Sequence, residues 1–259
     1  MYSHLARVRA ARSQGGFTIV EIMVAMLIGL FLLGGLMTLV QDNRRTFASQ
    51  NQLSQLQDSE RIAMTMITDV IQTAGYFPDP TTNTVTSSLP AVGSLIAGQF
   101  MAGTFNAAAP GDSITVQYAT TTGDGIVNCI GGSNTSGATA PFAYVNVFSV
   151  VNGELICNLN GTNYQLAGSV PISLTNASLN NGIVINKMTI LYGVNVSGAD
   201  NSVTSYVTAA AVANWSNVIS VQVTLQFLNP LYNSTAPGTP QPQYLNFQRV
   251  IGVMNQTGI

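Results

Sequence analysis

Charge is what this sequence has least of. Asp, Glu, Lys and Arg make up 7% of its 259 residues, against roughly 25% in an average soluble protein. It has one histidine (His4), one lysine (Lys187), one tryptophan (Trp215) and two cysteines (Cys129 and Cys157). So few soft and basic ligands leave no zinc-ligand cluster, and no Gly-rich phosphate loop is present. Hydrolysis by paired carboxylates would have to recruit Asp112, Asp124, Glu154 or Asp200. Their spacing gives no reason to pair them, and they read as turn and surface residues. The missing charge is replaced by Asn, Ser, Thr, Gly and Ala. Mean hydropathy is nonetheless +0.30, so part of the chain must be strongly apolar.

That part is near the start. Residues 1–16 read MYSHLARVRAARSQGG, with Arg7, Arg9 and Arg12 and no acid. Residues 22–40, IMVAMLIGLFLLGGLMTLV, carry no charge. As a helix this run is about 28 Å long, close to the roughly 30 Å hydrocarbon core of a bilayer. Arginines on its near side hold that side in the cytoplasm and place the C-terminal bulk outside. An ordinary secretory signal has its cleavage site after a shorter apolar region. Here the small residues Gly15-Gly16 come before it, so cleavage leaves the apolar helix attached and makes Phe17 the new N-terminus.

Gly16-Phe17-Thr18-Ile19-Val20-Glu21 resembles the processing motif of type IV prepilins: a small residue, an aromatic, apolar or hydroxyl residues, then a glutamate heading a long apolar helix. A carboxylate there is costly, since a charge at depth costs at least ~2.5 kcal/mol. The resemblance implies cleavage between Gly16 and Phe17, methylation of the freed amine, and compensation of that amine by Glu21 in the same or a neighbouring subunit. Phe17 and Glu21, four apart, are expected on one helix face. A plainer role for Glu21 is an interfacial carboxylate favoured by the helix N-terminal dipole. Loss of the leader also removes His4 and leaves five basic side chains against ten acidic ones, a side-chain charge of −5. Affinity for nucleic acid comes mostly from Lys and Arg on phosphate, so none is expected.

The helix should continue past Val40. Between Gln41 and Ala74 there is no glycine or proline, and Leu53, Leu56, Ala63, Ile67, Val70 and Ala74 recur at mostly three- and four-residue spacings. Gly75 and Pro78 mark its end. Gly29, Gly34 and Gly35 weaken the apolar run by about 1 kcal/mol each relative to Ala, which allows local melting or close helix approach. Residues 79–112 lack periodicity and read as a long loop with at most short elements. Segments 113–119, 143–151, 153–158, 183–192, 218–227 and 245–253 alternate as strands. Asn152-Gly153 joins two of them as a hairpin. Residues 205–213 suit a short helix or a strand equally, Trp215 reads as a core anchor, and 229–243 is a loop. Cys129 and Cys157 both follow the apolar run, and an even pair on the oxidising side reads as one disulfide. Closing that loop contributes roughly 3–4 kcal/mol in the chain-entropy picture.

The head narrows the resemblance to PilW-type minor pilins. RIAMTMITDVIQTAGY (61–76) resembles that family's helix end. GDSITVQY (111–118) resembles the first strand of its head. Asn128-Cys129-Ile130-Gly131 and Leu155-Ile156-Cys157 look like its cysteine segments, and Leu191-Tyr192-Gly193 with Trp215 and Val218 like its later landmarks. One departure stands out: where family members often carry an acidic loop, 194–201 holds only Asp200, too few oxygens for calcium.

The expected fold is α+β and pilin-like: a cleaved leader (1–16), a long N-terminal helix (17–75, transmembrane over 22–40), and an extracytoplasmic antiparallel β-rich head (76–259). The resemblance implies a non-enzymatic subunit that helps initiate or assemble a type IV pilus, supporting twitching motility or adhesion. No cofactor or metal is expected. Its partners would be other minor pilins, the major pilin, the prepilin peptidase, the inner-membrane machinery and the membrane itself. Location would begin as a single inner-membrane pass with a periplasmic head and end in the pilus. The alternatives are a pseudopilin of a type II secretion system and a binding module at the pilus tip.

Overall fold

The computed structural model describes residues 16–137, 140–180, 182–195, 202–235 and 241–257. It divides into two compact units, 1–48 and 49–259. One helix, α1 (Ile19–Gln72), supplies the described part of the first and begins the second.

In the first unit every large apolar side chain from Ile19 to Val40 is exposed. A continuous apolar surface of that extent is not left to water by a stable protein. The segment is long and apolar enough to cross a membrane. Gly29, Gly34 and Gly35 lie within unbroken helix, so the local melting they allow does not occur here. The Thr38 hydroxyl donates to the Gly35 carbonyl at 2.7 Å, which satisfies a polar group within the apolar run.

In the second unit the remaining turns of α1 bury Leu56, Ala63, Met64, Ile67, Val70 and Ile71. Leu53 is only half-buried. Gly75 ends the helical path with φ +78°, a left-handed conformation that glycine adopts without strain. Its N–H donates to the Gln117 carbonyl at 3.0 Å, which ties the end of α1 to the head.

Two antiparallel sheets receive this face. The first has order β1-β2-β3-β4-β5: Met101–Thr104, Ser113–Thr120, Phe142–Val151, Glu154–Leu159 and Thr162–Gly168. The second has order β7-β6-β8-β9, with β6 Ile185–Val194, β7 Ser205–Val207, β8 Val218–Leu228 and β9 Tyr244–Gly252. Strand β3 shows the two-residue rhythm of a sheet with one buried face: Tyr144, Asn146, Phe148 and Val150 point inward. Helix and both sheets share one hydrophobic core.

The Asn152-Gly153 hairpin forms as expected. Both residues have positive φ (51° and 86°), as a two-residue primed turn requires, and Val151 pairs with Glu154. The same signal recurs at Asn160-Gly161 (φ 47° and 94°), which turns β4 into β5. Strand β5 was not expected because its residues, TNYQLAG, alternate poorly and are mostly exposed. The supposed first strand of the head is its second, since β1 precedes it on the sheet edge. Both readings of 205–213 are met in part: β7 is followed by a 3-10 turn at Ala209–Ala211. Trp215 is not a core anchor. It is half-buried and packs on the core from outside, its ring edge-to-face with Tyr192 at 4.9 Å.

Candidate assembly site at the helix start

Gly16, Phe17 and Thr18 precede the helix, and α1 opens at Ile19. Phe17 therefore sits just before the helix, yet it shares one face with Glu21 as expected, both lining the same groove. Thr18 occupies the N-cap. Its carbonyl accepts from the N–H groups of Glu21 (3.1 Å) and Ile22 (3.2 Å). Its hydroxyl oxygen accepts from the Glu21 N–H at 3.3 Å. The Glu21 carboxylate reaches back to the Thr18 N–H and hydroxyl, both at 3.5 Å. These reciprocal contacts have the arrangement of a capping box, with Glu21 three residues inside the cap. Phe17 and Ile22 stand where a hydrophobic staple places its apolar pair, and with Glu21, Ala25 and Met26 they line one shallow groove. Thr-x-x-Glu before an apolar run was visible in the sequence as a helix-start signal and went unused.

The site is exposed and almost wholly apolar. Phe17 is 81% accessible. Glu21 is the sole ionisable side chain between Ile19 and Val40. The helix dipole favours a carboxylate in the first turn. It disfavours an amine there, unless a carboxylate is close.

Residues 11–37 match the family model of the prokaryotic N-terminal methylation motif. Residues 148–252, from within β3 to the end of β9, match the type IV pilus-assembly protein W model, PilW. The two matches, over separate stretches of the chain, support a type IV minor pilin of the PilW type. A solved type IV-like pilin from Thermus thermophilus aligns with 14% identity and a TM-score of 0.38, covering 78% of this chain and 96% of that one. No curated protein sequence matches the chain. The N-terminal methylation motif and the apolar helix that overlaps it fit a membrane anchor.

Elsewhere the residues that the sequence singled out hold structure. Cys129 and Cys157 form a disulfide, both fully buried, which staples the 121–137 connection to β4. The Cys129 N–H donates to Asn146 Oδ1 at 3.1 Å. Asp124 closes its turn by accepting from the N–H groups of Thr121 and Ile126. Glu154 accepts from Gln165 Nε2 at 2.8 Å across the β4–β5 pair. Asp112 corrects the sequence reading, because it is buried rather than a surface residue. It accepts from the N–H groups of Asn106 (2.8 Å) and Ile190 (2.7 Å), and its own N–H donates to the Met188 carbonyl at 2.8 Å. Asp112 thereby joins the entry of β2 in one sheet to β6 in the other. The leader up to Gly15 and the loop carrying Asp200 lie outside the described residues, within which no three His, Cys, Asp or Glu side chains gather as a metal site.

Proposed function

We propose that this chain is a minor pilin that helps initiate type IV pilus assembly, and that its first helical turn is the element that docks into the fibre. The leader is removed between Gly16 and Phe17, and the Phe17 amine is methylated. A carboxylate in the first turn of a helix whose exposed run to Val40 is otherwise uncharged carries the reading. Extraction of the apolar helix from lipid into a helical bundle exchanges one apolar environment for another. Burial alone then gives no register. A buried ion pair does, because misplacing it strands a charge at a cost of several kcal/mol. Glu21 supplies the acid, and the Phe17 amine of this or a neighbouring subunit supplies the base. The head is placed in the periplasm before assembly and on the pilus afterwards, with other minor pilins and the major pilin as neighbours. No reaction is assigned to it.

The capping geometry allows a test that separates the two roles of Glu21. Gln at the third helical position still closes a capping box, but it carries no charge to compensate an ammonium. Glu21→Gln is expected to keep membrane insertion and protein level while sharply reducing pilus number and incorporation into sheared pili. Glu21→Ala should do the same and fray the first turn as well. Wild-type piliation in the Glu21→Gln strain would reduce Glu21 to a helix cap and overturn the mechanism.

A further inference from the structure

The single tryptophan of the chain is not used up by the core. Trp215 meets buried Tyr192 edge-to-face, yet remains only partly buried. Its indole lines a groove of about 400 Å³ between the 3-10 turn Trp215–Asn217 and the segment 85–99. That volume falls within the roughly 300–1,000 Å³ of small-ligand sites. Ile96, which is 71% exposed, lines it together with Val85, Thr86, Gln99, Asn214 and Ser216. No lining residue is ionisable. Gln99 is held by donating to the Met101 carbonyl at 2.7 Å. Asn214 spends its Oδ1 on the Ser216 N–H at 3.0 Å, which caps the 3-10 turn, and its NH2 group has no partner among the described residues.

We infer that this groove binds a neutral sugar ring, such as one unit of a surface glycan. An indole face is electronegative and accepts the polarised C–H face of a pyranose. Amides and hydroxyls at the rim match the ring hydroxyls without charge. A nucleic acid or an anionic headgroup would need Lys or Arg here. An apolar peptide would leave the amides at the rim unpaired, which costs affinity.

Because Trp215 is the sole indole, its emission reports on this site alone. The full chain in a zwitterionic detergent without sugar headgroups is titrated with chitotriose and with cellotriose. A saturable blue shift with at least one of them is expected. Asn214→Ser keeps a capping oxygen and loses the NH2 donor, so binding should weaken about tenfold, the equivalent of one good hydrogen bond. Trp215→Phe keeps an aromatic ring against Tyr192 and, followed by calorimetry, should also bind about tenfold more weakly. Unchanged emission up to about 10 mM of both sugars, where even a millimolar site saturates, would overturn the inference. So would equal binding by both variants. An emission shift on mixing with other pilin subunits, without any shift on adding sugar, would overturn it too, by making the groove a protein contact.

Discussion

Two buried tyrosines show how a single hydroxyl decides the sign of a substitution. The Tyr118 hydroxyl donates to the Val127 carbonyl at 2.7 Å. The Tyr192 hydroxyl has no partner among the described residues, and it fits against β1 because residue 103 is glycine. Burial pushes both phenols well above the usual tyrosine range, and the nearby Asp112 charge pushes Tyr192 further. Below about pH 10 both the folded and unfolded chains keep these protons. Above it the unfolded chain ionises first, so stability falls as pH rises. Tyr192→Phe is expected to leave neutral-pH stability unchanged or raise it, and to flatten the alkaline loss. Tyr118→Phe should cost about 0.5–1.5 kcal/mol at neutral pH. Thermal melts at pH 7 and pH 11 measure both. Asp112 belongs to the same scale. Asp112→Ala strands two main-chain donors and should cost about 2–4 kcal/mol, whereas Asp112→Asn, which keeps one acceptor, should cost less. Equal melting of both variants and wild type in denaturant would contradict the assigned role.

Elements here are joined by small polar devices more than by long apolar runs. Asn-Gly turns set the register of β3, β4 and β5. Gly75 ends α1 and hands its N–H to β2. The disulfide does the same work covalently for the 121–137 connection, which has little regular structure to hold it. Cys129→Ser with Cys157→Ser should lower head stability by roughly 2–4 kcal/mol. The loss should be local, appearing first as faster amide exchange in 121–137 and β4. Thiol labelling of the unfolded, unreduced wild type should find no free thiol, and two per chain would refute the bond.

At the scale of the molecule the two units differ in what they bury. Residues 49–259 bury their own core, whereas 19–40 bury almost nothing and need lipid or neighbouring helices. Under the proposed processing, loss of the leader would strip three arginines that favour the cytoplasmic face. Mass spectrometry of the protein from piliated cells is expected to place the N-terminus at Phe17 with one added methyl. An intact Met1 in such cells, or a cut beyond Val40, would contradict it.

The exposed apolar helix, its continuation to Gln72, the two head cysteines and most strands were legible in the residues themselves. Each depends on local physics: an uninterrupted apolar run, three- and four-residue spacing, two-residue alternation, glycine where φ is positive. The box of Thr18 and Glu21 was equally local and was simply overlooked. Strand β5 lacked the apolar alternation that marks a strand, because its edge position leaves most of its side chains in water. The pairing of β6 with β7 and β8, the burial of Asp112 and the half-exposed seat of Trp215 were decided only by the tertiary structure. Each depends on residues far apart in the chain: Asp112 meets Ile190 across 78 positions. No local pattern encodes whether a carboxylate will find main-chain donors waiting on another sheet. That depends on how the sheets pack against one helix and on which edges the packing leaves open.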